Sequence, residues 1–173
     1  MTIFSDGHYL VVKRECPTCA LIEPVVRTMA ADESIGRLIQ IYVQDDPDCL
    51  FDLMQKRDDT NLKWSYQFGV ESVPTLIHCQ NGREVGRSTG WVRDEWRQLT
   101  GLNSLGEGMP EYQPGCGSLS VSPGAEEFLN ARFGELPMQS RIIEIGDFED
   151  SIEQSFDRGW SNGLPVMPPT GER

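Results

Sequence analysis

A four-residue apolar run, Tyr9-Leu-Val-Val12, stops at Lys13 and Arg14, and apolar residues at helical spacing follow almost at once: Leu21, Ile22, Val25, Val26 and Met29. The run reads as a buried strand whose end reaches solvent, and the period that follows reads as an amphipathic helix. The junction between them is Cys16-Pro17-Thr18-Cys19. A thiol at that place faces the unpaired amides and the positive end of a helix, which stabilise its anion, and a CxxC thiol so placed can titrate at roughly 3.5 to 7.5. Pro17 suits a first helical turn, where its missing N–H costs nothing. Cys19, one turn further in, is near enough to attack any disulfide formed on the first sulfur. Cys16, expected to be the more exposed of the two, is the candidate nucleophile.

The remaining pattern fixes the class. Leu38–Val43 is a second strand-like run, and Asp48, Leu50, Leu53 and Met54 begin a helical pattern that runs raggedly toward Tyr66. Pro74–Cys79 and Glu84–Ser88 read as two strands joined through Asn81-Gly82, a dipeptide suited to the positive φ angles of a tight hairpin. Val92, Trp96, Leu99 and Leu102 then recur at near-helical intervals. The order β-α-β-α-β-β-α predicts an α/β domain, a central mixed sheet flanked by helices, over residues 1–102. Residues 103–123 hold four glycines and three prolines and read as a linker or arm. Residues 124–173 offer short helices around Phe128, Leu129 and Phe133 and around Phe148, Ile152 and Phe156, a strand at Arg141–Ile145, and a proline-rich end. That is too little for a separate core. The extension is expected to cover the main domain or a second copy, which makes a homodimer one candidate assembly.

Acidic residues outnumber Lys and Arg by 27 to 15, for a net charge of −12, and no basic stripe interleaved with aromatics appears. Nucleic acid and anionic membranes are therefore disfavoured as partners. With no leader-like start and no long apolar segment, the expectation is a soluble, cytoplasmic protein. Five cysteines, Cys16, Cys19, Cys49, Cys79 and Cys116, are an odd and scattered set, unlike a secreted disulfide scaffold. A structural zinc would need four ligands, but there is one CxxC, and His78 and Cys79 are strand neighbours facing opposite ways. Neither a metal nor another cofactor is implied. Cys79 reads as a buried, inert thiol. Cys49 follows the second strand and emerges at the same end of the sheet as Cys16. Cys116, between Gly115 and Gly117, is either a spare linker thiol or a mobile third redox group.

Three features together resemble the thioredoxin superfamily over residues 9–102. They are Cys16-Pro-Thr-Cys19 with Pro24 inside the following helix, Ser72-Val-Pro-Thr75, and Asn81-Gly82 with Gly90 before the last helix. The resemblance implies a thiol-disulfide oxidoreductase in which Cys16 attacks and Cys19 resolves, with Pro17 and Thr18 supporting the pair. It also implies that Pro74 is cis and that Val73 and Pro74 offer a backbone edge to a substrate chain. The implied partners are protein disulfides and a thiol or reductase as electron donor. Two positions depart from the family's pattern. Leu10 and Glu15 stand where thioredoxins usually carry a buried carboxylate and a tryptophan, so Glu15 is either a substitute base or a solvated residue. Glu15, Asp45, Asp46 and Asp48 are expected to make Cys16 less acidic than its helix position alone suggests. The alternative to catalysis is a thioredoxin-like binding module whose CxxC is idle.

Overall fold

The computed structural model describes residues 4–48, 53, 55–134 and 151–160. Strand β1 (Gly7–Val12) leads into two consecutive helices, α1 (Pro17–Leu21) and α2 (Glu23–Ala31), followed by β2 (Ile39–Val43), β3 (Lys56–Asp58) and α3 (Lys63–Gln67). Next come β4 (Ser72–Val73), β5 (Thr75–Gln80), β6 (Arg83–Thr89), β7 (Trp91–Val92) and α4 (Arg93–Thr100). The chain continues through β8 (Tyr112–Gln113), β9 (Cys116–Gly117), a 3-10 turn at Leu119–Val121, α5 (Ala125–Phe133) and α6 (Ser151–Asp157).

Five strands form one mixed sheet in the order β3-β2-β1-β5-β6. β1 runs parallel to β2 and antiparallel to β5, and all six of its residues are buried, as the central place of an apolar run requires. The β5–β6 hairpin turns on Asn81 and Gly82, both at positive φ. Pro24 has no N–H to offer the carbonyl four residues back, so the helical ladder is interrupted and α1 and α2 meet at Ile22. Trp91 and Trp96, neither accessible to solvent, pack edge to face at 5.1 Å between ring centroids. His8 ties the sheet to the end of α4 through its Nε2 and the Leu99 carbonyl, 2.9 Å apart, and its ring stacks on that of His78.

The helical pattern expected from Asp48 toward Tyr66 is not what forms. Residues 56–58 pair with β2 as a parallel edge strand, and among the described residues of this stretch only Lys63–Gln67 is helical. Asp59 is the reason the helix starts late. Its carboxylate accepts the amides of Trp64 and Ser65, at 2.8 and 2.9 Å, and so takes up donors that a longer helix would have used internally. Residues 49–52 and 54, Cys49 among them, lie outside the described residues.

The Gly/Pro-rich segment is docked on the sheet domain along much of its length. β8 pairs with β7, β9 pairs with β4, and Leu105 is buried. Trp91 Nε1 donates to the Pro110 carbonyl at 2.7 Å. Further on, Gln44 sits beneath the segment: its Nε2 donates to Ser65 Oγ and Ser118 Oγ at 2.7 and 2.6 Å, and its Oε1 accepts the Leu119 amide at 3.0 Å. Gln44 is 1% exposed. Gln44→Ala should strand these partners and cost about 1–3 kcal/mol, with the segment around residue 118 gaining protease sensitivity. Denaturant titration with limited proteolysis checks this, and unchanged values for both would contradict it.

The chain divides into two units, Met1–Leu129 and Asn130–Arg173. In the first, Leu129 is buried but Phe128 is 57% exposed. In the second, α6 carries Phe156 and is followed by Trp160, 56% and 58% exposed. Within the single chain, Phe128, Phe156 and Trp160 remain open to solvent. Helix α5 turns Leu129 inward, and a nine-residue helix starting on Glu126 and Glu127 has no second apolar row to bury with it. The expected strand at 141–145 and Phe148 lie outside the described residues.

Candidate active site

Cys16 caps α1. Its backbone is extended (φ −130°, ψ 111°), its carbonyl accepts the Ala20 amide at 3.1 Å, and Pro17 follows at the first helical position. Cys19 sits one turn in, and its thiol donates to the Cys16 sulfur. That hydrogen bond is the largest influence on Cys16. A second from the Cys116 thiol and others from the amides of Cys19 and Thr18 act in the same direction against burial, bringing its pKa down to about 5. Cys19 moves oppositely. Burial pushes it far above the ordinary thiol range, and its bond to the Cys16 sulfur adds to the shift. The pair is thus split into a thiolate and a held proton.

Both residues are buried: Cys16 is 1% exposed and Cys19 not at all. Cys16 is the more accessible of the two by a small margin only, because the docked segment lies over it. The Val73–Pro74 bond is cis, and Val73 O stands 3.4 Å from Cys16 Sγ, a hydrogen bond only while Cys16 is protonated. β9 pairs antiparallel with this edge, with Ser72 opposite Gly117 and Val73 opposite Cys116. Thr18 Oγ1 donates to the Pro114 carbonyl at 2.7 Å, Ser72 Oγ to the Cys116 carbonyl at 3.0 Å, and Lys13 Nζ to the Gly117 carbonyl at 2.6 Å.

The acidic loop behaves differently from expectation. Asp45 accepts the amides of Arg14 and Glu15 at 2.8 and 3.3 Å, and Asp46 pairs with Arg14 at 3.0 Å. The main influences on Cys16 are thiols, burial and amides, with no carboxylate among them. Glu15 and Pro17 are exposed, and Thr18 is buried. No carboxylate is among the main influences on Cys19 either, and Leu10 is fully buried in the core. Cys79 lies opposite Gly7, at the start of β1, so it is at the far end of the sheet from Cys16, and burial raises its pKa. Among the described residues no three His, Cys, Asp or Glu side chains could hold a metal ion, and no helix is long and apolar enough to cross a membrane.

What sequence reasoning underweighted is Cys116 and the grip of Thr18 on its strand. The signal was Gly115-Cys116-Gly117. A Cβ on Gly115 would stand 2.6 Å from Ser72 Oγ and 2.7 Å from Val73 O, so only glycine lets the segment approach this edge.

A pH dependence follows from the split pair. The thiolate absorbance of the reduced protein should show a step centred near pH 5, absent in Cys16→Ser. The folded pKa of Cys16 is depressed, so its contribution to stability is present above the unfolded value of about 8.5 and lost as pH falls through 5. A single step near the unfolded value would contradict the assignment.

No family model matches the chain. A thioredoxin of Chlamydia muridarum (strain MoPn / Nigg) is 29% identical over 75 residues, which are 43% of this chain and 59% of that protein. The chain thus spans well under two thirds of that relative's length. The crystal structure of the thioredoxin Mala s 13 from Malassezia sympodialis aligns with 60% of this chain and 80% of its own, at 16% identity and a TM-score of 0.39.

Proposed function

We propose that this chain, which carries a thioredoxin-superfamily domain, is a thiol-disulfide oxidoreductase that exchanges disulfides through Cys16 and Cys19. The observation that carries this reading is the placement of Cys16 at the cap of α1, under a hydrogen bond from Cys19 and against the Val73 carbonyl of a cis X-Pro edge. The Cys16 thiolate attacks one sulfur of a substrate disulfide and expels the other as thiolate. Cys19 then attacks the Cys16 sulfur, its proton passing to the departing thiol, and leaves a Cys16–Cys19 disulfide. The substrate disulfide is reduced and the pair is oxidised. An external thiol or reductase reverses the change. The β4 edge at Val73 and Pro74 offers backbone groups to an extended substrate segment, and Thr18 and Pro17 hold the start of the helix.

A second reading, a binding module with an idle CxxC, is favoured by the 1% exposure of Cys16. Turnover separates the two. The reduced chain should accelerate insulin disulfide reduction by a dithiol in proportion to its concentration, and no acceleration above the dithiol alone would leave the binding-module reading standing.

A further inference from the structure

Three thiols, not two, meet at this site. The third belongs to a strand that occupies the very edge a substrate would pair with. β9 makes only a two-residue ladder with β4, but it is held by three side chains of the site: Thr18, Ser72 and Lys13. Val73 is the shared neighbour. Its carbonyl lies 3.4 Å from Cys16 Sγ, and Cys116 is its partner across the ladder. Gly115, on one side of Cys116, leaves room for this approach.

We propose that β9 is a built-in substrate strand and that Cys116 is a second resolving thiol, forming a reversible disulfide with Cys16. This rests on the oxidoreductase reading of Cys16. The oxidant is a low-molecular-weight disulfide, RSSR. The Cys16 thiolate attacks one sulfur, the S–S bond breaks, and RS⁻ leaves, giving a Cys16–SR mixed disulfide. Cys116 then attacks Cys16 Sγ, its proton passes to the second RS⁻ as it departs, and a Cys16–Cys116 disulfide remains. RSSR is reduced to two thiols, and the two cysteines are oxidised.

The electrostatics favour Cys116 over Cys19 at the second step. The largest influence raising Cys116 is its hydrogen bond to Cys16, and the Cys16 charge adds to it. Both vanish once Cys16 is a neutral mixed disulfide, whereas the Lys13 ammonium, which favours the Cys116 thiolate, remains. The largest influence on Cys19 is burial, which the mixed disulfide leaves in place. Cys116 also keeps partial contact with solvent, and Cys19 has none.

The test uses the full chain and glutathione disulfide, followed by acid quenching, alkylation and peptide mapping. Cys19→Ser should convert to a Cys16–Cys116 linked peptide in most molecules and release two glutathione thiols per chain. Cys19→Ser with Cys116→Ser should stop at a Cys16–glutathione adduct and release one. Gly115→Val, which forces the strand off Ser72 and Val73, should lower the yield of the linked peptide severalfold in the Cys19→Ser background while the adduct persists. A persistent adduct in Cys19→Ser with Cys116 intact would overturn the inference and leave the oxidoreductase reading standing. No adduct at Cys16 in any variant, Gly115→Val included, would overturn both.

Discussion

Replacing Cys16 by serine should reduce disulfide turnover on the order of 10³-fold or more, the scale on which losing a covalent nucleophile acts. The hydroxyl cannot ionise at neutral pH, so the amides of Thr18 and Cys19 and the Cys19 thiol would surround a neutral group with nothing to stabilise. Cys19→Ser combined with Cys116→Ser should differ in kind: it keeps a thiolate at position 16 and allows one attack per chain without steady turnover. The measurement is insulin reduction for both variants, with mass spectrometry of the stalled products. If Cys16→Ser retained more than about a tenth of the activity, another thiol would have to be the nucleophile.

The second large effect is on stability. Trp96→Ala should cost about 3–5 kcal/mol, the range for emptying a fully buried aromatic site, out of a total that for domains is about 5–15 kcal/mol. Trp96 is wholly inaccessible, packs edge to face on Trp91, and donates its Nε1 proton to the Gly90 carbonyl at 3.1 Å. Gly90 in turn donates its amide to the Pro74 carbonyl at 2.7 Å, so the damage reaches the cis X-Pro edge. Denaturant unfolding gives the loss directly, and a cost below about 1 kcal/mol would mean that the site collapses without a cavity.

The parts of the fold legible in the sequence were those in which side-chain period and backbone state agree. β1, α2, β2 and the Asn81-Gly82 hairpin each combine an apolar period with a matching turn or cap, and Cys16 falls at the strand-to-helix junction as its neighbours require. β3 was not legible because Lys56, Arg57 and Asp58 carry no apolar alternation. Its strand state comes from backbone pairing with Ile41, Tyr42 and Val43, which a one-dimensional pattern does not contain. The same holds for β9, a cysteine and a glycine whose state is set by Ser72 and Val73 across the ladder. Gly and Pro suggested a linker, but glycine served close approach. The burial of Cys16 was hidden for the same reason, since what covers it lies about 100 positions away in the chain. The partners of the acidic loop were likewise not legible in a count of charges. Asp45 and Asp46 spend theirs on Arg14 and on backbone amides.

If substrates pair with the β4 edge as proposed, the strand already lying on it sets terms for each of them. A segment tethered in the same chain meets the edge at an effective concentration on the order of millimolar, so a visiting peptide competes with a rival that never diffuses away. If the edge is open about 1% of the time, a visitor's apparent affinity falls about a hundredfold from its intrinsic value. Under the proposed function, weakly pairing sequences would then be screened out, and a substrate would need more than two residues of pairing to displace Cys116 and Gly117 from Val73 and Ser72. On that proposal, selectivity at this site would come from the protein's own chain acting as the standard against which each substrate is measured.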